Sequence, residues 1–148
     1  MNNILCIFIS CTLAINLTVI NIMKTEEKTG RTEWKLAGIV NQIPDGTTIK
    51  GKPCIADGKY GRSVEFNGSS DVIFIDRNPV SGLHALTIEV IFQPLKGGGF
   101  EQRFLHLGET QGDRILLELR ATESHWYFDA FISTPKKSTL TRTINNRI

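Results

Sequence analysis

A chain of 148 residues is long enough for one folded domain and short for two. Its 41% hydrophobic and 22% charged residues are globular proportions, which excludes wholesale disorder. A formal net charge of +2, with the basic residues scattered, gives no footing for nucleic acid or for an anionic membrane surface.

Residues 1–23 stand apart from the rest. From Ile4 to Met23 no charged residue occurs and Ile and Leu dominate, and Lys24-Thr25-Glu26-Glu27-Lys28 then turns polar. The profile fits a secretory signal peptide or an N-terminal membrane anchor, and so an extracytoplasmic location. Against it stand the missing Lys or Arg ahead of the run, the polar Asn16, Thr18 and Asn21 within it, and the lack of a clean small-residue cleavage site. A buried apolar segment is the alternative. Cys6 and Cys11 fall in this stretch, which leaves Cys54 alone in the body of the chain without a disulfide partner there. No HExxH or CxxC spacing points to zinc.

Residues 24–33, charged and Thr-rich, read as a linker, and the ordered domain is expected over 34–148, beginning at Trp34-Lys35-Leu36. Short apolar runs separated by turn residues follow, the spacing of an all-β domain. Ser63–Phe66, the turn Asn67-Gly68-Ser69-Ser70 and Asp71–Ile75 predict a hairpin. Leu86–Phe92 alternates, with Ile88, Val90 and Phe92 on one face and Thr87, Glu89 and Ile91 on the other. Pro94 and Gly97-Gly98-Gly99 end it. Strands are predicted at Arg103–Leu107, at Ile115–Arg120, and at Trp126–Ile132, where Trp126, Phe128, Ala130 and Ile132 share a face. No stretch after residue 34 shows a capped helical stripe. The basic tail, Lys136-Lys137 with Arg142 and Arg147, reads as a solvated end. Strands of this kind bury one face on a partner sheet, and a sandwich is their natural architecture.

Four segments carry a resemblance. Tyr60-Gly61-Arg62-Ser63-Val64-Glu65-Phe66-Asn67-Gly68 is similar to the entry hairpin of laminin G-like jelly-roll domains, and Leu86-Thr87-Ile88-Glu89-Val90-Ile91-Phe92-Gln93-Pro94 to the strand that follows it there. Glu101–His106 and Trp126-Tyr127-Phe128-Asp129 resemble a subgroup of concanavalin A-like domain proteins. The resemblance spans residues 34–132 and implies an antiparallel jelly-roll β-sandwich. The family's closing strands have no counterpart here, so a C-terminally truncated domain is expected.

The superfamily contains glycan-cleaving enzymes, whose catalysis needs two carboxylates at the scissile bond. The jelly-roll glucanases carry them as E-x-D-x-x-E on one strand, and neither E-x-D nor E-x-E occurs in this chain. No G-x-S-x-G occurs, and Gly97-Gly98-Gly99 opens no predicted helix. The expected function is therefore a non-catalytic recognition module for a glycan or an extracellular protein, with a hydrolase remnant or a non-functional fragment as alternatives. Candidate ligand residues are Glu101, Arg103 and His106, then Glu118 and Arg120, then Tyr127 and Asp129. For Glu101 and Arg103, two residues apart, and for Glu118 and Arg120, the competing reading is a structural ion pair. Trp126 reads as core, and Tyr127 and Asp129 share the face opposite it. No cofactor is required. Calcium, which laminin G-like loops hold, has Asp71 and Asp76 as candidate ligands, with Asp113 in a later turn.

Overall fold

The computed structural model describes residues 5–8, 16–22, 30–80, 83, 85–95, 99–110, 112–134 and 137–147. In chain order the elements are β1 (Leu5–Phe8), β2 (Asn16–Ile22), β3 (Gly30–Trp34), α1 (Leu36–Asn41), β4 (Thr47–Lys50), β5 (Cys54–Gly58), β6 (Gly61–Glu65) and β7 (Val72–Ile75). They continue with β8 (Ala85–Ile91), β9 (Glu101–Gly108), β10 (Arg114–Ala121), β11 (His125–Thr134) and β12 (Lys137–Arg147). The fold is all-β and its sheets are antiparallel. A seven-stranded sheet runs β12-β11-β10-β9-β1-β7-β4, a three-stranded sheet β3-β2-β8, and β5 pairs with β6 alone.

One face of the seven-stranded sheet carries the core. Ile73 and Ile75 of β7, Leu105 and Leu107 of β9, and Leu117 and Leu119 of β10 are buried in one cluster. Over them lie Leu36 and Ile39 of α1, Val64 and Phe66 at the end of the β5–β6 hairpin, and Ile88 and Val90 of β8. Burying each large side chain contributes about 1.5–3 kcal/mol, which holds the layers together. An aromatic seam joins the end of β8 to the sheet. Phe92 stacks on Phe104 at 5.0 Å between centroids and meets Trp126 edge-on at 6.3 Å. The alternation expected of Leu86–Phe92 holds, and Trp126 packs against the core as expected.

Four expectations are corrected. β6 and β7 do not form a hairpin; β6 pairs with β5, and β7 pairs with β1 and β4. The turn between them carries the chain from one sheet to another, because Asn67 and Asp71 lock it from inside. Asn67 Oδ1 accepts the backbone N–H groups of Ser69, Ser70 and Asp71, while Asp71 Oδ2 accepts that of Asn67. The basic tail, solvent-exposed at residues 138–141, is a strand and not a loose end, since Lys137–Arg147 pairs along β11. Its β-branched Thr139, Thr141 and Thr143 suit a strand. A helix does occur after residue 34. α1 has no side-chain cap and spans six residues, too few to show a stripe, and burial of Leu36 and Ile39 supports it in place of propensity. β3 begins at Gly30 and so takes in the last residues of the expected linker.

The apolar N-terminal run contributes two strands. β1 pairs with β7 and β9, and β2 pairs with β3 and β8. Among the described residues no helix is long and apolar enough to cross a membrane.

Asp71 also ties the arch to the chain before β5, through the N–H of Lys52 on its Oδ1 at 2.8 Å. Gly51 sits beside that contact at φ +77°, and a β-carbon there would overlap Asp71 Oδ1. Gly51→Ala is expected to cost more than about 1 kcal/mol, from left-handed strain plus loss of this anchor. Gly46→Ala, at φ +72° but with ordinary space around a β-carbon, meets only the strain. Thermal midpoints of the two variants make the comparison, and equal losses would discount the anchor.

Candidate functional site

The candidate residues named on β9, β10 and β11 come together on the face of the seven-stranded sheet turned away from the core. A β-bulge puts them there. Leu117 stands opposite Leu105, yet the next residue, Glu118, stands opposite Arg103, so Phe104 is the extra residue. Leu105 and Leu107 therefore face the core, while Arg103 and Glu101, two and four residues before Leu105, face outward. Without the slip strict alternation would drive both charges into the core. Across the other edge of β10, Glu118 stands opposite Asp129 and Arg120 opposite Tyr127.

Arg120 is the hub. Its guanidinium lies 2.8 Å from Glu101, 2.7 Å from Glu118 and 2.8 Å from Asp129. Arg103 extends the network at 3.5 Å to both Glu101 and Glu118. Asp129 is 0% exposed and Glu118 is 3% exposed, so two of the three carboxylates are sequestered under the arginines. Burial alone lowers the pKa of Arg120, but the hydrogen bond to Glu118 and the charges of Glu118, Glu101 and Asp129 outweigh it and raise it. Both structural pairings weighed from the sequence, Glu101 with Arg103 and Glu118 with Arg120, are present, joined in one cluster. The solvent side of the cluster consists of Glu101 and Arg103, with Phe100 under the Arg120 guanidinium at 5.4 Å from its ring centroid.

His106 lies further along the same face, opposite Leu116 and buried. Burial first, then the charges of Arg114 and Arg103, hold its pKa below the ordinary 6.5, against a backbone hydrogen bond at Glu109. The unfolded imidazole takes a proton near 6.5 and the folded one only at lower pH. Its contribution to stability is therefore complete above the unfolded pKa and is lost as pH falls toward the folded value. His106→Gln is expected to flatten the loss of stability between about pH 7 and pH 5, read as urea midpoints. An unchanged slope in the variant would count against the burial of a neutral imidazole.

The calcium candidates are not brought together. Asp71 is buried and gives its two oxygens to the N–H groups of Lys52 and Asn67. Asp76 lies exposed at the far end of β7, about 16 Å along the strand at ~3.3 Å per residue, beyond the reach of one ion. Among the described residues no group of three or more His, Cys, Asp or Glu side chains is placed to hold a metal.

Among the described residues, several hollows have no counterpart in the sequence-based expectations. A shallow groove of about 760 Å³ follows α1, from Glu33 and Trp34 to Pro44 and Asp45. A more enclosed cavity of about 340 Å³ lies where the turn of the β5–β6 hairpin meets the end of β8. Its walls come from residues 58–61, Ser63 and residues 91–93, so no local pattern announces it; the paired Lys59-Tyr60 in a glycine-flanked turn is the one sequence signal.

No protein-family model matches the chain, and no curated protein or solved structure matches it either.

Proposed function

We propose that this chain is a non-catalytic recognition module of the concanavalin A-like, laminin G-like jelly-roll class, working outside the cytoplasm and binding glycan on the outer face of β9, β10 and β11. The observation that carries the reading is the rigid charged cluster with a solvent-exposed rim. Arg120 holds all three carboxylates, while Glu101 and Arg103 remain half-exposed. Sugar hydroxyls both donate and accept, so a fixed carboxylate next to a fixed guanidinium offers them complementary partners. Tyr127, opposite Arg120, adds an aromatic surface of the kind that suits the apolar side of a pyranose.

Binding is favoured over hydrolysis because Glu101, Glu118 and Asp129 are all held by the same guanidinium. A glycosidase needs one carboxyl group that gives up a proton and another that attacks or activates water. An extracytoplasmic location rests on the uncharged run from Ile4 to Met23; since Leu5–Phe8 and Asn16–Ile22 pair into the sheets as β1 and β2, the run stays with the folded domain in this reading and is not a membrane contact. An extracellular protein carrying the glycan is a partner of the same kind; nucleic acid is not expected.

The test is titration of the full chain with neutral and acidic oligosaccharides, followed by NMR. Amides of Glu101, Arg103 and Tyr127 are expected to shift, and Glu101→Gln with Arg103→Gln is expected to weaken binding about tenfold or more. Glycans that leave these amides unmoved would overturn the proposal. So would turnover of a β-glucan that Glu118→Gln abolishes.

A further inference from the structure

The geometry points to a second ligand site, at the tip of the β5–β6 hairpin, that takes a single six-membered sugar ring bearing a carboxylate. The cavity of about 340 Å³ between this tip and the end of β8 lies at the small end of the range for ligand clefts, roughly 300–1,000 Å³. It holds one ring with little to spare. Tyr60, the most exposed large apolar side chain of the described surface at 69%, lines it together with Ile91 at 41%. Apolar surface left open on a small domain costs solubility, so its convergence on one concave site calls for an occupant.

The polar groups narrow the occupant's chemistry. Lys59 Nζ stands 5.3 Å from the Tyr60 ring centroid, and none of the ion pairs among the described residues involves Lys59. The cavity thus holds a cation paired with an aromatic face and with no carboxylate. Gln93 adds an amide that both donates and accepts, and Ser63 adds a hydroxyl, whose own proton goes to the carbonyl of Ala56 and whose lone pairs accept. A ring with an apolar side for Tyr60 and Ile91, hydroxyls for Gln93 and Ser63, and an acid group for Lys59 satisfies all of them. Neutral hexoses leave the exposed ammonium to solvent, and aromatic acids leave the exposed amide to solvent, so each makes fewer contacts than a sugar acid.

This site stands apart from the outer-face cluster and does not depend on it. The experiment is an NMR titration of the full chain with galacturonate, galactose and benzoate as separate arms. Galacturonate is expected to shift the amides of Tyr60, Gly61, Ile91 and Gln93. Lys59→Gln is expected to weaken it about tenfold, the value of one charge-assisted contact, and Tyr60→Ala to abolish it. Galactose is expected to bind more weakly and equally to the parent chain and Lys59→Gln. Both altered side chains are exposed at a turn, so unchanged melting of the variants checks that they fold. Unmoved cavity amides, or benzoate binding as tightly as galacturonate, would overturn the assignment. Shifts confined to Glu101 and Arg103 would also overturn it, while leaving the outer-face proposal in place.

Discussion

An Arg120→Met variant is expected to lose about 3–5 kcal/mol of stability, the cost of removing one partner from a buried charge cluster. Arg120 is the group common to Glu101, Glu118 and Asp129. Without it Asp129 keeps a buried charge, and Glu118 keeps only Arg103 at 3.5 Å, too far for a good hydrogen bond. Methionine retains much of the aliphatic stem, so the loss reports charge more than volume. Asp129→Asn added to Arg120→Met is expected to recover part of the deficit, because it removes a buried charge that has lost its 2.8 Å ion pair. Urea denaturation of the two single variants and the double variant measures this. A loss below about 1 kcal/mol in Arg120→Met would mean that water already solvates the cluster.

Phe66→Ala is expected to have an effect of similar size through a different cause. Phe66 is fully buried where the chain leaves β6, in the same cluster as Leu36 and Ile39 of α1 and Ile73 of β7. Its truncation leaves a cavity between the covering layer and the seven-stranded sheet, at about 3–5 kcal/mol. Tyr60→Ala, six residues earlier on the exposed turn, is expected to stay within about 0.5 kcal/mol of the parent. Denaturation midpoints of the two give the contrast, and a mild Phe66→Ala would mean that α1 and the hairpin can collapse into the space.

The all-β character was legible because period-two alternation is a local property, and Leu86–Phe92 displays it without interruption. Pairing was not legible. Asn67 to Asp71 carries the same turn residues whether the flanking strands pair with each other or part company for different sheets. What separates the cases is the hold of Asp71 on Lys52, nineteen positions away. β12 escaped notice because threonine satisfies a strand without looking apolar. α1 escaped because one and a half turns show no periodicity.

The candidate site was legible by residue and not by arrangement. Glu101, Arg103, Glu118, Arg120 and Asp129 attract attention as charges inside strands. Their convergence depends on the slip at Phe104, which alternation alone contradicts. The cavity at the hairpin tip joins segments about thirty residues apart, and only folding reveals it.

The strand order also sets a hierarchy of opening. β10 is paired on both sides, while β12 closes one end of its sheet with a neighbour on a single side. Alternate amides of β12 therefore look outward, and in heavy water they should trade their protons well before those of β10. Fraying is expected to begin at that rim and to stop at Arg120, so the charged hub sits in the last part of the sheet to come apart.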